Sequence, residues 1–323
     1  MKAIVQDRYG PPDVLRLAEV DRPAIGDDDV LVKVRAAGVD QGVWHLLAGL
    51  PYLVRVMGYG LRAPKTRIPG LDLAGTVEAA GGNVTGLRPG DEVFGTAQGS
   101  FAELASAPQD RLAPKPANLT FEQAAAVPIS GYTALQAVRD QGKVEAGQHV
   151  LVVGAAGGVG SFAVQVAKAF GAEVTGVSST AKTDLVLSLG ADHVIDYTQE
   201  DFTAGTARYD VVLDTGGNRS LSDIRRVLAP AGTLVIVGGE GGGKWLGGFD
   251  RQLRAATLSP FVSQSLRFWV SQENQEDLQA LRELIEAGKV TPAVDRTFPL
   301  DKAADAIRYL REGRARGKVV VTV

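Results

Sequence analysis

Two patterns of apolar and polar residues follow one another along this chain. Up to about residue 125 the apolar positions come in short alternating runs, as from Val30 to Val34, and turn residues such as Gly82-Asn83 and Arg88-Pro89-Gly90 separate the runs. Alternation over a few residues is typical of half-buried β-strands, and glycine and proline end such strands. The first part of the chain is therefore predicted to be β-rich, in a barrel-like or sandwich-like arrangement.

The pattern changes near Thr120. Thr120 and Gln123 have the spacing of a helix N-cap with a capping box, and an alanine-rich run follows. Beyond it, apolar runs alternate with helix-like segments, which is typical of a parallel, doubly wound sheet. The predicted strands of this sheet are Val150–Val153, Glu173–Val177, His193–Ile195, Val211–Asp214 and Thr233–Val237. Later segments predict a further strand at Leu266–Val270, a helix at Leu278–Ala287 and a last strand, Lys318–Val323, that returns to the first domain.

A glycine-rich segment, Gly154–Gly160, follows the apolar strand His149–Val153 and opens the helix-like segment Ser161–Phe170. A strand, a glycine turn and a helix form the context of a dinucleotide-binding fingerprint, in which backbone N–H groups and the helix dipole hold the pyrophosphate. A plain tight turn is the alternative, and Ala155 stands where the first fingerprint glycine is expected. The predicted pyrophosphate contacts are Gly157, Gly158, Val159 and Gly160.

Length and composition narrow the class of protein. At 323 residues the chain favours two domains, and the change of pattern places residues 1–125 and 290–323 in one and 126–289 in the other. The net charge of −3 indicates no nucleic-acid partner. No apolar run reaches the about 20 residues that span a bilayer, and no signal segment opens the chain, so we expect a cytoplasmic protein without membrane insertion.

The chain has no cysteine and three histidines. Disulfides, thiolate nucleophiles and zinc–thiolate sites are therefore excluded. The histidines show no H-x-x-x-H spacing, so no metal site is predicted.

Nearly the full length resembles the zinc-independent quinone oxidoreductase branch of the medium-chain dehydrogenase/reductase superfamily. The resemblance implies an α/β protein with a GroES-like β-rich catalytic domain, a doubly wound Rossmann domain and an active site in the cleft between them. Several ordered segments carry it: Gly38–Asp40, Pro69–Val77, Arg88–Gly95, Ala124–Pro128, Gly131–Ala134, Ala155–Gly160, Leu189–Tyr197 and Gly317–Val320.

The zinc-containing branches of this superfamily bind their catalytic metal with Cys, His and Cys. Here Asp40 stands near the first ligand position and Leu71 near the second, so the Lewis acid of a zinc alcohol dehydrogenase is missing. The resemblance therefore implies a zinc-free reductase of a small apolar quinone or α,β-unsaturated carbonyl. The alternatives are a zinc-free alcohol or aldehyde oxidoreductase and a nucleotide-binding interaction protein with little turnover.

The strand that follows the glycine turn indicates the cofactor. An NAD-selective site has an acidic residue about 20 positions after the turn, whereas here the strand is followed by Ser178 to Lys182 without a carboxylate. Hydroxyl and ammonium groups suit a 2′-phosphate, and by resemblance Ser178, Lys182 and Tyr197 bind NADPH. An ordinary solvated lysine is the alternative for Lys182. The resemblance adds Thr133 and Gly238 on the nicotinamide side and Lys318 as a further cofactor contact.

Asp40 and Tyr52 are the catalytic candidates. The family often has Asn at the position of Asp40, near the nicotinamide, so a carboxylate there could anchor a ribose hydroxyl, position a water or merely cap a turn. Tyr52 could donate a proton to the substrate oxygen or pack in its loop. Trp44 is read as a wall of the cleft, and His45 as an acid or a structural residue.

Three further segments have open interpretations. Residues 50–69 are apolar and could form a mobile lid, a packed helix or a dimer contact. Ser259–Val262 and Leu266–Val270 could cap the cleft or extend a sheet across the edge of a homodimer. The glycine-rich loop 239–244 could bind an anion or remain without a ligand.

Overall fold

The structure, a computed structural model, divides the chain into two units. Unit 1 comprises Met1–Tyr132, Glu273–Ala287 and Pro292–Val323, and unit 2 comprises Thr133–Gln272 and Gly288–Thr291. Residues 1–217, 219–238 and 243–323 are described, so most of the glycine-rich loop 239–244 lies outside the described residues.

The secondary-structure elements of unit 1 are mostly strands, as the alternating pattern predicts. The strands are β1 (Lys2–Val5), β2 (Arg16–Glu19), β3 (Asp29–Val39), β4 (Asp72–Ala80), β5 (Glu92–Thr96), β6 (Leu104–Pro108), β7 (Leu112–Pro114), β14 (Val294–Pro299) and β15 (Lys318–Thr322). The helices are α1 (Gln41–Ala48), α2 (Tyr52–Val54), α3 (Phe121–Ala125), the start of α4 (Pro128–Gln136), α9 (Gln275–Glu286) and α10 (Ala303–Arg311).

The main sheet of unit 1 has the order β14-β15-β3-β4-β5-β7, and β6 also pairs with β3. The strand β15 runs parallel to β14 and antiparallel to β3, so the predicted return of the last strand to the first domain is confirmed. The side chains of Val30, Val32 and Val34 point to a core that also contains Leu73 and Val319. Lys33, between them, is exposed, as expected for a strand with one covered face.

Unit 2 is built on a parallel sheet. Its strands are β8 (His149–Val153), β9 (Glu173–Ser178), β10 (His193–Asp196), β11 (Tyr209–Asp214), β12 (Leu228–Ile236) and β13 (Ser265–Phe268), and its helices are α5 (Gly158–Ala169), α6 (Thr183–Ser188), α7 (Leu221–Val227) and α8 (Phe249–Leu258). The spatial order is β10-β9-β8-β11-β12-β13, with every neighbouring pair parallel. Counted from β8 this is 3-2-1-4-5-6, the order of a doubly wound dinucleotide-binding domain, which confirms the predicted fold class.

Residues Val150–Val153 of β8 are all buried, because a central parallel strand is covered on both faces.

Local sequence signals also predict where helices begin. The predicted capping box is confirmed, since the Thr120 side chain accepts from Gln123 N while Gln123 Oε1 accepts from Thr120 N.

The division of the chain differs from the predicted domain boundaries at α9. This helix begins at Gln275, three residues before the predicted start, because Asn274 Oδ1 accepts a hydrogen bond from Asp277 N and caps it. It belongs to unit 1, where Gln275 Nε2 donates to Leu112 O and Asn118 Nδ2 donates to Ile285 O. Among the described residues, no helix has the length and apolarity to span a membrane.

Candidate functional site

The glycine turn after β8 leaves almost no space for a side chain at Gly154 or at Gly160. Gly154 adopts a φ of +80°, and its N–H and that of Ala155 both donate to Val177 O on the neighbouring strand. A Cβ on Gly160 would overlap the Gly154 carbonyl oxygen and lie 2.9 Å from Ala155 Cα. Gly160 therefore lets α5 pack directly on the turn, which is the role of the last glycine in a dinucleotide fingerprint.

Gly157 is the N-cap of α5, with extended backbone angles and no side-chain cap. A Cβ here would meet a single neighbouring protein atom within 4 Å, Gly154 O at 3.3 Å. The first turn of this 12-residue helix thus presents N–H groups beside an open cradle. A helix N-terminus of this kind fits the pyrophosphate of a dinucleotide.

The alanine at the first fingerprint position is accommodated by a glycine on the next strand. A Cβ on Gly176 of β9 would lie 3.0 Å from Ala155 Cβ and would overlap the side chain of Val186. The missing side chain at Gly176 therefore makes room for the methyl group of Ala155. Sequence reasoning did not single out Gly176, although a lone glycine inside an apolar strand signals close approach of another group.

Three of the predicted cofactor residues lie at one edge of the sheet of unit 2. Ser178 is the last residue of β9, Tyr197 follows β10 directly, and Gly238 comes two residues after β12. Because the strands are parallel, their carboxyl ends share the edge that carries the glycine turn, where doubly wound sheets bind nucleotides.

Backbone hydrogen bonds link Tyr197 and Gly238 each to the end of the neighbouring strand. Tyr197 N donates to Ser178 O at 3.1 Å, and the Tyr197 side chain is 54% exposed. Gly238 N donates to Asp214 O, and a Cβ on Gly238 would lie 2.5 Å from Thr215 O. Gly238 is therefore a point of close backbone approach.

Two predicted cofactor residues lie on other elements of unit 2. Lys182 is half-buried in the 3₁₀ turn Thr180–Lys182 that follows Ser178. Thr133 lies on α4, and its hydroxyl donates to Ser271 Oγ at 3.2 Å.

Asp40 directly follows β3 and caps α1. Its Oδ1 accepts a hydrogen bond from Val43 N at 3.0 Å, which is the capping role that the sequence left as one alternative. The residue is only 8% exposed, and its Oδ2 has no hydrogen-bond partner among the described residues. A buried carboxylate oxygen without a donor is costly, so this atom is suited to accept a hydrogen bond from a ligand.

Lys318 lies in the interior of unit 1, not on an open surface. It is 1% exposed, and its Nζ donates to Asp72 Oδ2 at 3.2 Å and to Ser130 Oγ at 3.0 Å. A nucleotide would have to displace these partners to reach the ammonium group. The structure therefore gives Lys318 a buried ion pair with Asp72, and its contact with the cofactor stays a prediction.

Asp72 completes this buried cluster and was missed as a site residue. Its Oδ1 accepts from Ile129 N at 2.9 Å, and a Cβ on Gly38 would lie 2.6 Å from its Oδ2. Burial raises the pKa of Asp72, the Lys318 ammonium opposes this rise, and the charge of Asp40 adds to it. The cluster therefore joins β4, β15 and α4 by a charge-assisted network.

Tyr52 stacks in a cation–π arrangement. The Arg55 guanidinium lies 4.8 Å from the centre of the Tyr52 ring and 4.4 Å from that of Tyr9, and Arg55 Nε donates to Gly49 O. The Tyr9 hydroxyl donates to the carbonyl of Gly60 at 2.7 Å. These contacts anchor the start of the segment 50–69, whereas Val56, Met57 and Leu61 further along it are exposed.

The other two candidates of unit 1 have local partners. Arg311 lies 4.7 Å from the centre of the Trp44 ring. His45 Nδ1 lies 2.8 Å from Leu50 O. Within residues 1–217, 219–238 and 243–323, no three His, Cys, Asp or Glu side chains are arranged to hold a metal ion.

Two protein-family models match the chain. Residues 26–117 match the alcohol dehydrogenase GroES-like domain, and residues 189–321 match a domain described as zinc-binding dehydrogenase. The first match falls in the β-rich unit, and the second begins between α6 and β10 of unit 2 and runs into β15.

Individual relatives match nearly the whole length of this chain. The chain is 37% identical to 2-methylene-furan-3-one reductase of Solanum lycopersicum, over 99% of this chain and 79% of that protein. It is 32% identical to quinone oxidoreductase of Sus scrofa, over 99% of this chain and 97% of that protein. The crystal structure of Escherichia coli quinone oxidoreductase complexed with NADPH is similar with a TM-score of 0.86 and 25% identity, over 100% of both chains.

Proposed function

Since this chain belongs to the zinc-independent, quinone oxidoreductase-like branch of the medium-chain dehydrogenase/reductase superfamily, we propose that it is an NADPH-dependent reductase of a quinone or an α,β-unsaturated carbonyl. The observation that carries the proposal is the edge of the parallel sheet, where a crowded glycine turn follows β8 and where Ser178, Tyr197 and Gly238 lie at or just after the carboxyl ends of β9, β10 and β12. The relatives named above support the substrate class, since one is a quinone oxidoreductase and another a furanone reductase.

The chain's own residues bind and orient the nucleotide. The first-turn N–H groups of α5, beside Gly157 and Gly160, hold the pyrophosphate. Ser178, Lys182 and Tyr197 bind the 2′-phosphate that distinguishes NADPH from NADH. Thr133 and Gly238 lie on the nicotinamide side. The bound nicotinamide supplies the hydride.

Asp40 is the protein group that we assign to the reacting end. One carboxylate oxygen is held by Val43 N, which fixes the direction of the other. That second oxygen accepts a hydrogen bond from a ribose hydroxyl or holds a water molecule. Tyr52 remains the proposed proton donor to the substrate oxygen, with its ring oriented by the Arg55 stack.

We also propose that the protein is a homodimer. The strand β13 is at the edge of the sheet of unit 2, and exposed apolar side chains flank it, with Phe261 84% and Val270 65% exposed. An open edge bordered by apolar groups favours pairing with a second copy about a two-fold axis. A cytoplasmic location stays the prediction made from the sequence.

Titration of the purified protein with NADPH and NADH, followed by nucleotide fluorescence, tests the cofactor. The expected result is tighter binding of NADPH, and Lys182→Gln should reduce this preference. A protein that binds neither nucleotide would refute the proposal.

Turnover with a panel of quinones and enones tests the chemistry, with oxidation of NADPH followed by absorbance. A saturated ketone as the product of an enone supports the proposal. An allylic alcohol would instead favour an alcohol or aldehyde oxidoreductase, and tight binding without turnover of any acceptor would favour a nucleotide-binding protein of another role.

A further inference from the structure

A carboxylate lies beside the position assigned to the 2′-phosphate. Asp196 is the last residue of β10, and the strand register places it directly opposite Ser178, the last residue of β9. Neighbouring strands are about 5 Å apart. The sheet therefore brings a negative charge next to a proposed phosphate ligand, although 18 positions separate the two residues in the chain.

The Asp196 carboxylate is held towards the turn Thr180–Lys182, which contains one of the proposed 2′-phosphate ligands. Its Oδ1 accepts from Thr198 N at 2.9 Å and from the Thr198 hydroxyl at 2.7 Å, and its Oδ2 accepts from the hydroxyl of Thr180. Thr180 opens the turn that ends at Lys182. The carboxylate is thus fixed between the turn after β9 and the turn after β10.

These hydrogen bonds orient the charge without neutralising it. The donors are hydroxyl and backbone N–H groups of Thr180 and Thr198, all of them neutral. The bond from Thr180, and then those from Thr198, keep the pKa of Asp196 below its usual range, so the group is ionised near neutral pH. A like charge within about one Debye length, about 8 Å at physiological salt, weakens the binding of a phosphate.

We propose that Asp196 is a specificity-determining residue that lowers the preference of this site for NADPH over NADH. The inference rests on the proposed function, because it takes Ser178, Lys182 and Tyr197 as the 2′-phosphate ligands. In NAD-selective sites the acidic residue lies at the end of the second strand and binds the ribose hydroxyls. Here the carboxylate lies one strand further, at the end of β10, where it repels the phosphate instead of binding the ribose hydroxyls.

Isothermal titration calorimetry with 2′,5′-ADP and 5′-AMP isolates this effect, because the two probes differ only in the 2′-phosphate. Asp196→Asn keeps the size of the side chain and an oxygen that accepts from Thr198 N. We expect the variant to raise the affinity ratio of 2′,5′-ADP to 5′-AMP about threefold at 0.02 M salt, and by less than about 1.5-fold at 0.5 M salt because salt screens the repulsion.

The chain offers a matched control in Asp201. Its Oδ1 accepts from Thr203 N and from the Thr203 hydroxyl, so it has the same Asp-x-Thr arrangement as Asp196. It does not lie at the end of β9 or β10, and Asp201→Asn should leave the affinity ratio unchanged.

The outcomes separate this inference from the proposed function. An unchanged or lowered ratio in Asp196→Asn, or a gain that does not depend on salt, would overturn the role of the Asp196 charge while NADPH binding stands. A wild-type protein that binds neither NADPH nor 2′,5′-ADP would remove the proposed function and this inference together.

Discussion

Adding one methyl group at three glycines of unit 2 tests the nucleotide site most directly. Gly160, Gly157 and Gly205 differ in what a Cβ would meet. At Gly160 it overlaps the Gly154 carbonyl and comes within 2.9 Å of Ala155 Cα, at Gly157 it meets Gly154 O at 3.3 Å, and at Gly205 it meets no atom within 4 Å. The methyl group therefore overlaps backbone atoms in Gly160→Ala, enters the proposed nucleotide cradle in Gly157→Ala and points into open space in Gly205→Ala.

The magnitudes follow from these distances. Overpacking against backbone costs about 1–3 kcal/mol, so Gly160→Ala should lower the free energy of unfolding by that amount and also weaken nucleotide binding. Gly157 has φ −83° and ψ 177°, which alanine adopts without strain, so Gly157→Ala should change stability by less than about 1 kcal/mol. Its methyl group would occupy the cradle, and we expect NADPH affinity to fall at least about tenfold, or about 1.4 kcal/mol.

The assay pairs thermal unfolding without ligand with fluorescence titration by NADPH. The expected pattern is loss of both stability and binding in Gly160→Ala, loss of binding alone in Gly157→Ala, and loss of neither in Gly205→Ala. Wild-type NADPH affinity in Gly157→Ala would refute the assignment of this turn to the pyrophosphate. Wild-type stability in Gly160→Ala would contradict the close contact of α5 with the turn.

Three other predictions concern unit 1 and the edge of the sheet. Lys318→Met should lower the free energy of unfolding, measured in urea, by about 3 kcal/mol, because Asp72 loses its buried partner. Adding Asp72→Asn to this variant should restore most of the lost stability. Equal losses in the single and the double variant would contradict the ion pair. Asp40→Asn keeps the cap but removes the charged acceptor, so NADPH should bind about tenfold more weakly in titration, whereas unchanged affinity and turnover would exclude Asp40 from the mechanism. Phe261→Glu with Val270→Glu should give a monomer in sedimentation velocity, and a dimer of undiminished stability would place the interface elsewhere.

The sequence alone determined the features that depend on near neighbours. The strand, glycine turn and helix from His149 onward, the capping box at Thr120 and the alternation of strands and helices were all predicted and are present. Periodicity and capping arise from residues within about one turn or one strand, so they can be read without knowledge of the fold. The resemblance to a family added the fold class, which the sheet order confirms.

Only the tertiary structure decided which distant residues meet. Strand register brings Asp196 beside Ser178, and a gap at Gly176 admits the methyl group of Ala155. Lys318 pairs with Asp72, 246 positions away in the chain. Such contacts depend on topology and on the packing of whole elements, and neither can be predicted from the local pattern of residues.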